Sequence, residues 1–213
     1  MEPIRHLDAL ACPLAQANVD TDQLIPARFM KEPRSVGYGQ FLLHDLRHDA
    51  SGKPRGDFIL EHPEARQASI LVARRNFGAG SSREAAVYAL VDFGFRCVIA
   101  PSFGDIFSSN AVNNGLLPAT LPEEDIERLL EHLGDTPGRL HVDLETCRIR
   151  AGELDLAFTI SPTWRTKLLN GWDDIDMTRQ HEEAITRFAA DYAARHPWLK
   201  ASPGDPGVIA RDF

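Results

Sequence analysis

A glycine-rich turn, Asn76-Phe-Gly-Ala-Gly-Ser-Ser-Arg-Glu84, stands between the apolar run Ser69-Ile-Leu-Val-Ala73 and a segment whose apolar residues Ala86, Ala89, Leu90 and Phe93 follow helical spacing. A short apolar run of this kind suits a strand buried on both faces, and the spacing after the turn predicts a helix over Ala85–Phe93. The next apolar run, Phe95-Arg-Cys-Val-Ile-Ala100, predicts a second buried strand that Pro101 ends. Alternation of buried strand, tight turn and helix places the chain in the α/β class.

The flanking segments fit the same class. Ala11–Arg28 reads as extended chain broken by a polar turn at Asn18-Val-Asp-Thr-Asp22, where short polar side chains favour Asx turns. Residues 27–57 carry Pro33, Gly37, Gly39, Gly52, Pro54 and Gly56 around one apolar patch, Phe41-Leu-Leu43, and are expected to form a long mobile loop with a short helix. Gly104–Asn114 reads as a helix closed by Gly115, and Pro122 followed by three acids opens an amphipathic helix that Gly134 stops. Alternation at Leu140, Val142 and Leu144, then Arg148–Arg150 and Leu154–Ile160 about Gly152, predicts an antiparallel meander. Pro162–Asn170 is expected to be a short helix capped by Gly171, and Thr178–His196 a longer one stopped by Pro197. One domain over residues 1–197 and a flexible tail over 198–213 are the expected organisation.

Composition excludes several functions. With 213 residues and a formal net charge of -8, the chain is a globular protein without the clustered Lys and Arg that hold nucleic acid or an anionic membrane. No apolar run is long enough to cross a bilayer, and Glu2, Arg5 and Asp8 occupy the region where a signal peptide needs an apolar core. The chain therefore reads as cytoplasmic. Cys12, Cys97 and Cys147 are odd in number, widely spaced and outside any CxxC arrangement, so they form neither a disulfide framework nor a metal or cluster motif. His44 and His48 are four apart with acids beside them, but no third ligand accompanies them, and a solvated helix face is the reading. No metal site is assigned.

The chemistry concentrates at Gly78-Ala-Gly-Ser-Ser-Arg-Glu84. A glycine-rich turn feeding a helix leaves backbone N–H groups unpaired and aims the positive end of the helix dipole at whatever lies there, which calls for an anion. Arg83, read as lying in the first turn of that helix, opposes the dipole by roughly a few tenths of a kcal/mol or more. A bound carboxylate offsets this through a charge-assisted fork worth about 1.5–3 kcal/mol. A dinucleotide-binding turn is the competing reading, but the strand that follows ends at Ala100-Pro101 with no acid to hold a ribose. A second competing reading makes the glycines turn residues and the serines helix caps.

Three motifs in order decide among these readings: Asn18-Val-Asp-Thr-Asp-Gln-Leu-Ile-Pro-Ala27, Asn76-Phe-Gly-Ala-Gly-Ser-Ser-Arg-Glu84, and Ile99-Ala-Pro-Ser-Phe-Gly-Asp-Ile-Phe107 continuing through Asn113-Asn-Gly-Leu-Leu-Pro118. Together they closely resemble the small subunits of the 3-isopropylmalate dehydratase family, and the resemblance extends from about Leu7 to Pro197. It implies an aconitase-like swivelling β/β/α domain, a mixed sheet or small barrel flanked by helices. It also implies a large subunit whose cysteines hold a [4Fe-4S] cluster, no cofactor on this chain, and a small dicarboxylate substrate that is reversibly dehydrated. By the same resemblance Ser81 is, as an alkoxide, the base that removes the carbon-bound proton, while the partner's cluster iron withdraws the hydroxyl. A serine is too weakly acidic to do this in water, so backbone N–H groups at Gly80, the helix dipole and Arg83 must stabilise its anion. Arg83 binds a substrate carboxylate with Ser82 assisting, Asp22 faces the active-site interface, and Asp20 braces its turn. Arg28, Phe29 and Arg34 lie in the stretch corresponding to the family's recognition loop, the two arginines as candidates for a second carboxylate.

The chain departs from the family pattern at three places: Ala79 stands where Cys or Thr is usual, and the segments after the turn and over Ser161–Leu169 differ. Ala85-Ala-Val-Tyr88 follows the turn where His-Ala with Pro and an aromatic residue is usual, and Trp164-Arg-Thr-Lys167 replaces a basic, His-containing run. The alternatives are a paralogue acting on methylmalate, dimethylmalate or a citraconate-type diacid, and a non-catalytic carboxylate-binding homologue.

Overall fold

The computed structural model describes residues 1–199, and the expected tail from Lys200 onward lies outside them. The chain divides into two units, the first ending at Asp173 and the second beginning at Asp174.

The first unit is built on seven strands: β1 (His6–Leu14), β2 (Ala68–Ala73), β3 (Cys97–Ala100), β4 (Leu117–Thr120), β5 (Gly138–Asp143), β6 (Arg148–Ala151) and β7 (Leu154–Ala157). They form one sheet in the order β4-β3-β2-β1-β5-β6-β7. Pairs from β1 to β4 are parallel and pairs from β1 through β5 and β6 to β7 are antiparallel. The sheet curls until its edges meet, because Thr120 and Thr159 exchange backbone bonds of 3.1 and 2.8 Å. It is thus a mixed sheet drawn towards a barrel.

Side-chain alternation splits the core between the two faces of the parallel half. Leu71, Ala73, Val98 and Ala100 face one apolar cluster, and Ile70, Val72, Cys97 and Ile99 face the other. The first cluster is covered by α3 (Glu84–Phe93), which buries Ala86, Val87, Ala89, Leu90 and Phe93. The second is covered by α5 (Glu123–Leu133), which buries Ile126, Leu129, Leu130 and Leu133, with Leu168 of α6 (Pro162–Asn170). The buried apolar residues of β5 to β7 and of the positions just after β5 and β7, Leu140, Val142, Leu144, Ile149, Ala151, Leu156 and Phe158, all belong to the second cluster, so the other face of the antiparallel half carries no apolar core and is polar, with Asp143 on it.

Two strands differ from the sequence reading. β1 begins at His6 rather than Ala11, because His6 and Asp8 sit on that polar face and give the strand start no apolar signal. β4 is a strand that the sequence does not predict: Pro118 cannot donate to a ladder, and it is tolerated because β4 forms an edge of the sheet. The predicted α3, the helix now seen as α4 (Asp105–Asn113), α5, α6 and the meander all form.

Residues 27–61 fold as α2 (His44–Arg47) and a run of short 3-10 turns. Arg47 ties them together from a buried position: Nε donates to Glu61 Oε1 at 2.7 Å, and Nη1 donates to the carbonyl of Leu42 at 3.1 Å. Gly39 lets this segment touch α3, since a Cβ there would lie 2.5 Å from the backbone nitrogen of Phe93.

The second unit contains α7 (Asp174–Arg179) and α8 (Glu182–Arg195), separated at Gln180 and His181. The sequence predicts one helix from Thr178 to His196. Two acidic first turns, Asp174 with Asp176 and Glu182 with Glu183, start two helices instead. No helix among the described residues is long and apolar enough to cross a membrane.

Candidate active site

Three turns at the ends of β1, β2 and β3 are joined by backbone bonds. Asn18 N donates to Arg75 O at 2.9 Å, Gly78 N to Val19 O at 2.7 Å and Thr21 N to Ala79 O at 2.9 Å. Phe77 N donates to Ser102 O at 3.0 Å and Gly104 N to Phe77 O at 2.9 Å. Side chains reinforce the junction, with Asn76 Nδ2 donating to Asn18 Oδ1 at 3.0 Å and Asn76 N donating to Ser102 Oγ at 2.9 Å. The three sequence motifs are therefore one structural feature.

The glycines allow the turns to approach. Gly78 has φ of +70°, and a Cβ on it would lie 2.2 Å from Cγ of Phe107. Gly104 packs against the same point, where a Cβ would meet the Gly78 carbonyl oxygen at 2.6 Å.

Asp20 is the N-cap of α1 (Thr21–Leu24): its carboxylate accepts from Gln23 N at 2.7 Å, and Gln23 Oε1 accepts from Asp20 N at 3.0 Å. This reciprocal capping box rigidifies the turn and leaves Asp22, two residues on in the first turn of α1, exposed. Asp22 forms an ion pair with Arg83 Nη1. Thr21 is buried and donates from Oγ1 to the Ser81 carbonyl at 3.2 Å, while Arg83 N donates to that same oxygen at 2.8 Å. With its carbonyl held twice, Ser81 is fixed in orientation while its side chain stays exposed beside Ser82.

Arg83 occupies the N-cap of α3, one position before the first turn where the sequence reading put it, and makes no side-chain cap. Neither serine caps the helix, and among the described residues neither hydroxyl has a hydrogen-bond partner. The positive end of α3 is thus surrounded by Gly80, at φ of +100°, two exposed hydroxyls and one guanidinium. Glu84 is turned aside by Asn114, whose Nδ2 donates to it at 2.8 Å.

The structure brings Asp22, Gly80, Ser81, Ser82 and Arg83 together. Arg28 and Arg34 have carboxylate partners elsewhere: Arg28 pairs with Asp45 and stacks on Phe29, and Arg34 pairs with Asp92 at 3.1 Å with its guanidinium 3.7 Å from the Tyr88 ring centre. The hydrogen bond from Arg28 holds the Asp45 carboxyl at about 2, well below its ordinary range. Sequence reasoning missed Thr21, Asn76 and Ser102 as supports of this site, since their partners are 26 to 60 residues away. The departure at 161–169 falls on packing positions, with Trp164 against the second core cluster and Arg165 Nε donating to Leu144 O at 2.9 Å.

The cysteines do not fit an iron–sulfur cluster. Cys12 and Cys97 lie in different core clusters, on opposite faces of the sheet, and cannot converge. Burial pushes the Cys12 thiol up to about 12 and Cys97 higher still, which disfavours the thiolate that binds iron. In native protein at pH 8, alkylation followed by mass spectrometry is expected to modify the partly exposed Cys147 and spare Cys12 and Cys97; labelling of the buried pair at an equal rate would contradict this packing.

Residues 1–124 match the family described as aconitase C-terminal domain, and residues 174–202 match the C-terminal domain of the small chain of 3-isopropylmalate dehydratase. The chain is 47% identical over 201 residues to the 3-isopropylmalate dehydratase small subunit of Gluconacetobacter diazotrophicus, covering 93% of this chain and 97% of that protein. It is 45% identical over 188 residues to that of Shouchella clausii, covering 88% and 95%. It is 42% identical over 214 residues to small subunit 1 of Bordetella parapertussis, covering 95% and 99%. A crystal structure of 3-isopropylmalate dehydratase from Methanocaldococcus jannaschii shares the fold, with a TM-score of 0.62 at 22% identity over 85% of this chain and 98% of that one. Joined turns, mixed curled sheet and near full-length similarity lead to one conclusion: the chain belongs to the 3-isopropylmalate dehydratase small subunit family, with the aconitase C-terminal domain fold.

Proposed function

We propose that this chain is the small subunit of a cytoplasmic hydro-lyase that interconverts 2-isopropylmalate and 3-isopropylmalate by dehydration and rehydration, as leucine biosynthesis requires. The observation that carries the reading is the docking of the Asp20–Asp22 turn onto Ala79–Arg83, which leaves an unpartnered serine hydroxyl at the positive end of α3 beside a guanidinium.

Ser81 is the base. Its alkoxide takes the proton from the substrate carbon, the electron pair of that C–H bond becomes the new C=C bond, and hydroxide leaves from the neighbouring carbon. Backbone N–H groups at the start of α3 and the helix dipole stabilise the alkoxide before the proton moves. Arg83 binds a substrate carboxylate: Nη1 is braced by Asp22, so the fork is aimed before substrate arrives. Ser82 adds a hydroxyl to the same carboxylate. Arg28 and Arg34 reach a second carboxylate only by leaving Asp45 and Asp92.

The exposure of Gly80, Ser81 and Ser82 suits half an active site completed by another chain. The other half would come from a large subunit, whose [4Fe-4S] cluster would supply Lewis-acid chemistry toward the substrate hydroxyl.

Arg83→Lys is expected to raise KM at least about tenfold with a smaller change in kcat, since lysine keeps the charge and loses the fork. An unchanged KM would remove Arg83 from carboxylate binding. The whole reading is tested by anaerobic assay of this chain with its cluster-loaded large subunit on isopropylmalate, methylmalate, dimethylmalate and citraconate. Turnover of isopropylmalate in preference to the others is the expected result. Preference for another diacid would establish a paralogue, and silence on all four a non-catalytic homologue.

A further inference from the structure

We propose that the water-facing side of the β1–β5 pair binds one divalent transition ion of the zinc class through His6, His141 and Asp143. In the antiparallel register His6 lies directly opposite Asp143, and His141 lies opposite Asp8, so His6, His141 and Asp143 project from one face. One ligand atom from each falls within 4.8 Å of the other two.

The spacing suits an ion better than direct bonding. His6 Nδ1 is 3.6 Å from Asp143 Oδ1, too long for a hydrogen bond. Two ligands each about 2.0–2.1 Å from a tetrahedral ion stand about 3.3 Å apart, so a small closure seats zinc between them. The His6 and His141 rings stack at 6.0 Å with 17° between planes, which presents both imidazoles to the same side. With Nδ1 offered to the ion, His6 Nε2 faces Glu145 Oε2 at 3.7 Å, which puts a carboxylate behind the ring without a direct hydrogen bond. Asp143 is oriented in turn by Thr146 N, which donates to Oδ1 at 3.0 Å.

Charges around the group are already paired. Arg148 binds Asp155 at 2.9 Å, Arg150 is 3.9 Å from the same carboxylate, Arg139 binds Asp8 at 2.7 Å, and Arg5 binds Glu145. Two imidazoles and one carboxylate favour zinc, nickel or copper over calcium or magnesium. The site is at the opposite end of β1 from the Asn18–Asp22 turn, where the sheet changes from parallel to antiparallel pairing. An ion there clamps the two halves of the sheet together, and its role is structural.

The test is a calorimetric titration of the full, chelator-washed chain with Zn2+, repeated with Co2+ followed by visible absorption. One saturable equivalent is expected, with binding at least about tenfold weaker in His6→Gln and in His141→Gln and unchanged in His48→Gln. Zn2+ should also raise the Tm of the wild type and leave that of His6→Gln unmoved, since binding to the folded state alone stabilises it. Absence of saturable binding, or equal affinity in His6→Gln, overturns the proposal. Should either variant fail to fold, imidazole 15N resonances of the wild type decide: zinc-dependent shifts at His6 and His141 support the site, and shifts confined to other histidines reject it.

Discussion

Ser81→Ala in the assembled enzyme is expected to lower kcat about 10^3-fold or more, the scale of losing a positioned base, while KM and assembly with the large partner stay nearly the same. The hydroxyl is exposed and unbonded, so its loss removes a proton acceptor and almost no packing. The turn itself is held by the Ser81 carbonyl, which alanine keeps, through Thr21 Oγ1 at 3.2 Å and Arg83 N at 2.8 Å. Steady-state kinetics with size-exclusion chromatography of the complex separates the two effects. Activity within about tenfold of wild type would reject Ser81 as the base.

Gly78→Ala is expected to cost about 2–5 kcal/mol of folding stability, from strain of about 1–2 kcal/mol at a left-handed backbone position and overpacking of about 1–3 kcal/mol. The clash has nowhere to go: the Cβ would meet the Phe107 ring at 2.2 Å, and Phe107 is itself packed between Phe77 and Phe103 at ring separations of 5.5 and 6.2 Å. Denaturant unfolding measures the loss. Phe107→Leu on the Gly78→Ala background should recover part of it, because the leucine vacates ring space without relieving the backbone strain. A single Gly78→Ala variant as stable as wild type would show that the turn repacks freely.

The junction that Gly78 permits also shows where sequence legibility ended. The turn, β2, α3 and β3 are visible in the chain because each declares itself within about ten residues, through an apolar run, a positive-φ glycine or a helical period. β4 is hidden because Pro118 carries the opposite propensity, and only its place at a sheet edge makes the strand acceptable. The first half of β1 is hidden because His6 and Asp8 face water.

At the candidate site the sequence by itself singled out Asp22, Gly80, Ser81, Ser82 and Arg83 by type and motif. Tertiary structure alone decided that Asp22 braces Arg83, that Thr21 holds the Ser81 carbonyl, and that Arg28 and Arg34 rest on Asp45 and Asp92. The same division separates the turn motifs from the His6, His141 and Asp143 group, whose members are united only by strand register. Local patterning reports what a few neighbouring residues prefer, whereas which distant side chains meet depends on how strands pair and which face each one turns to water.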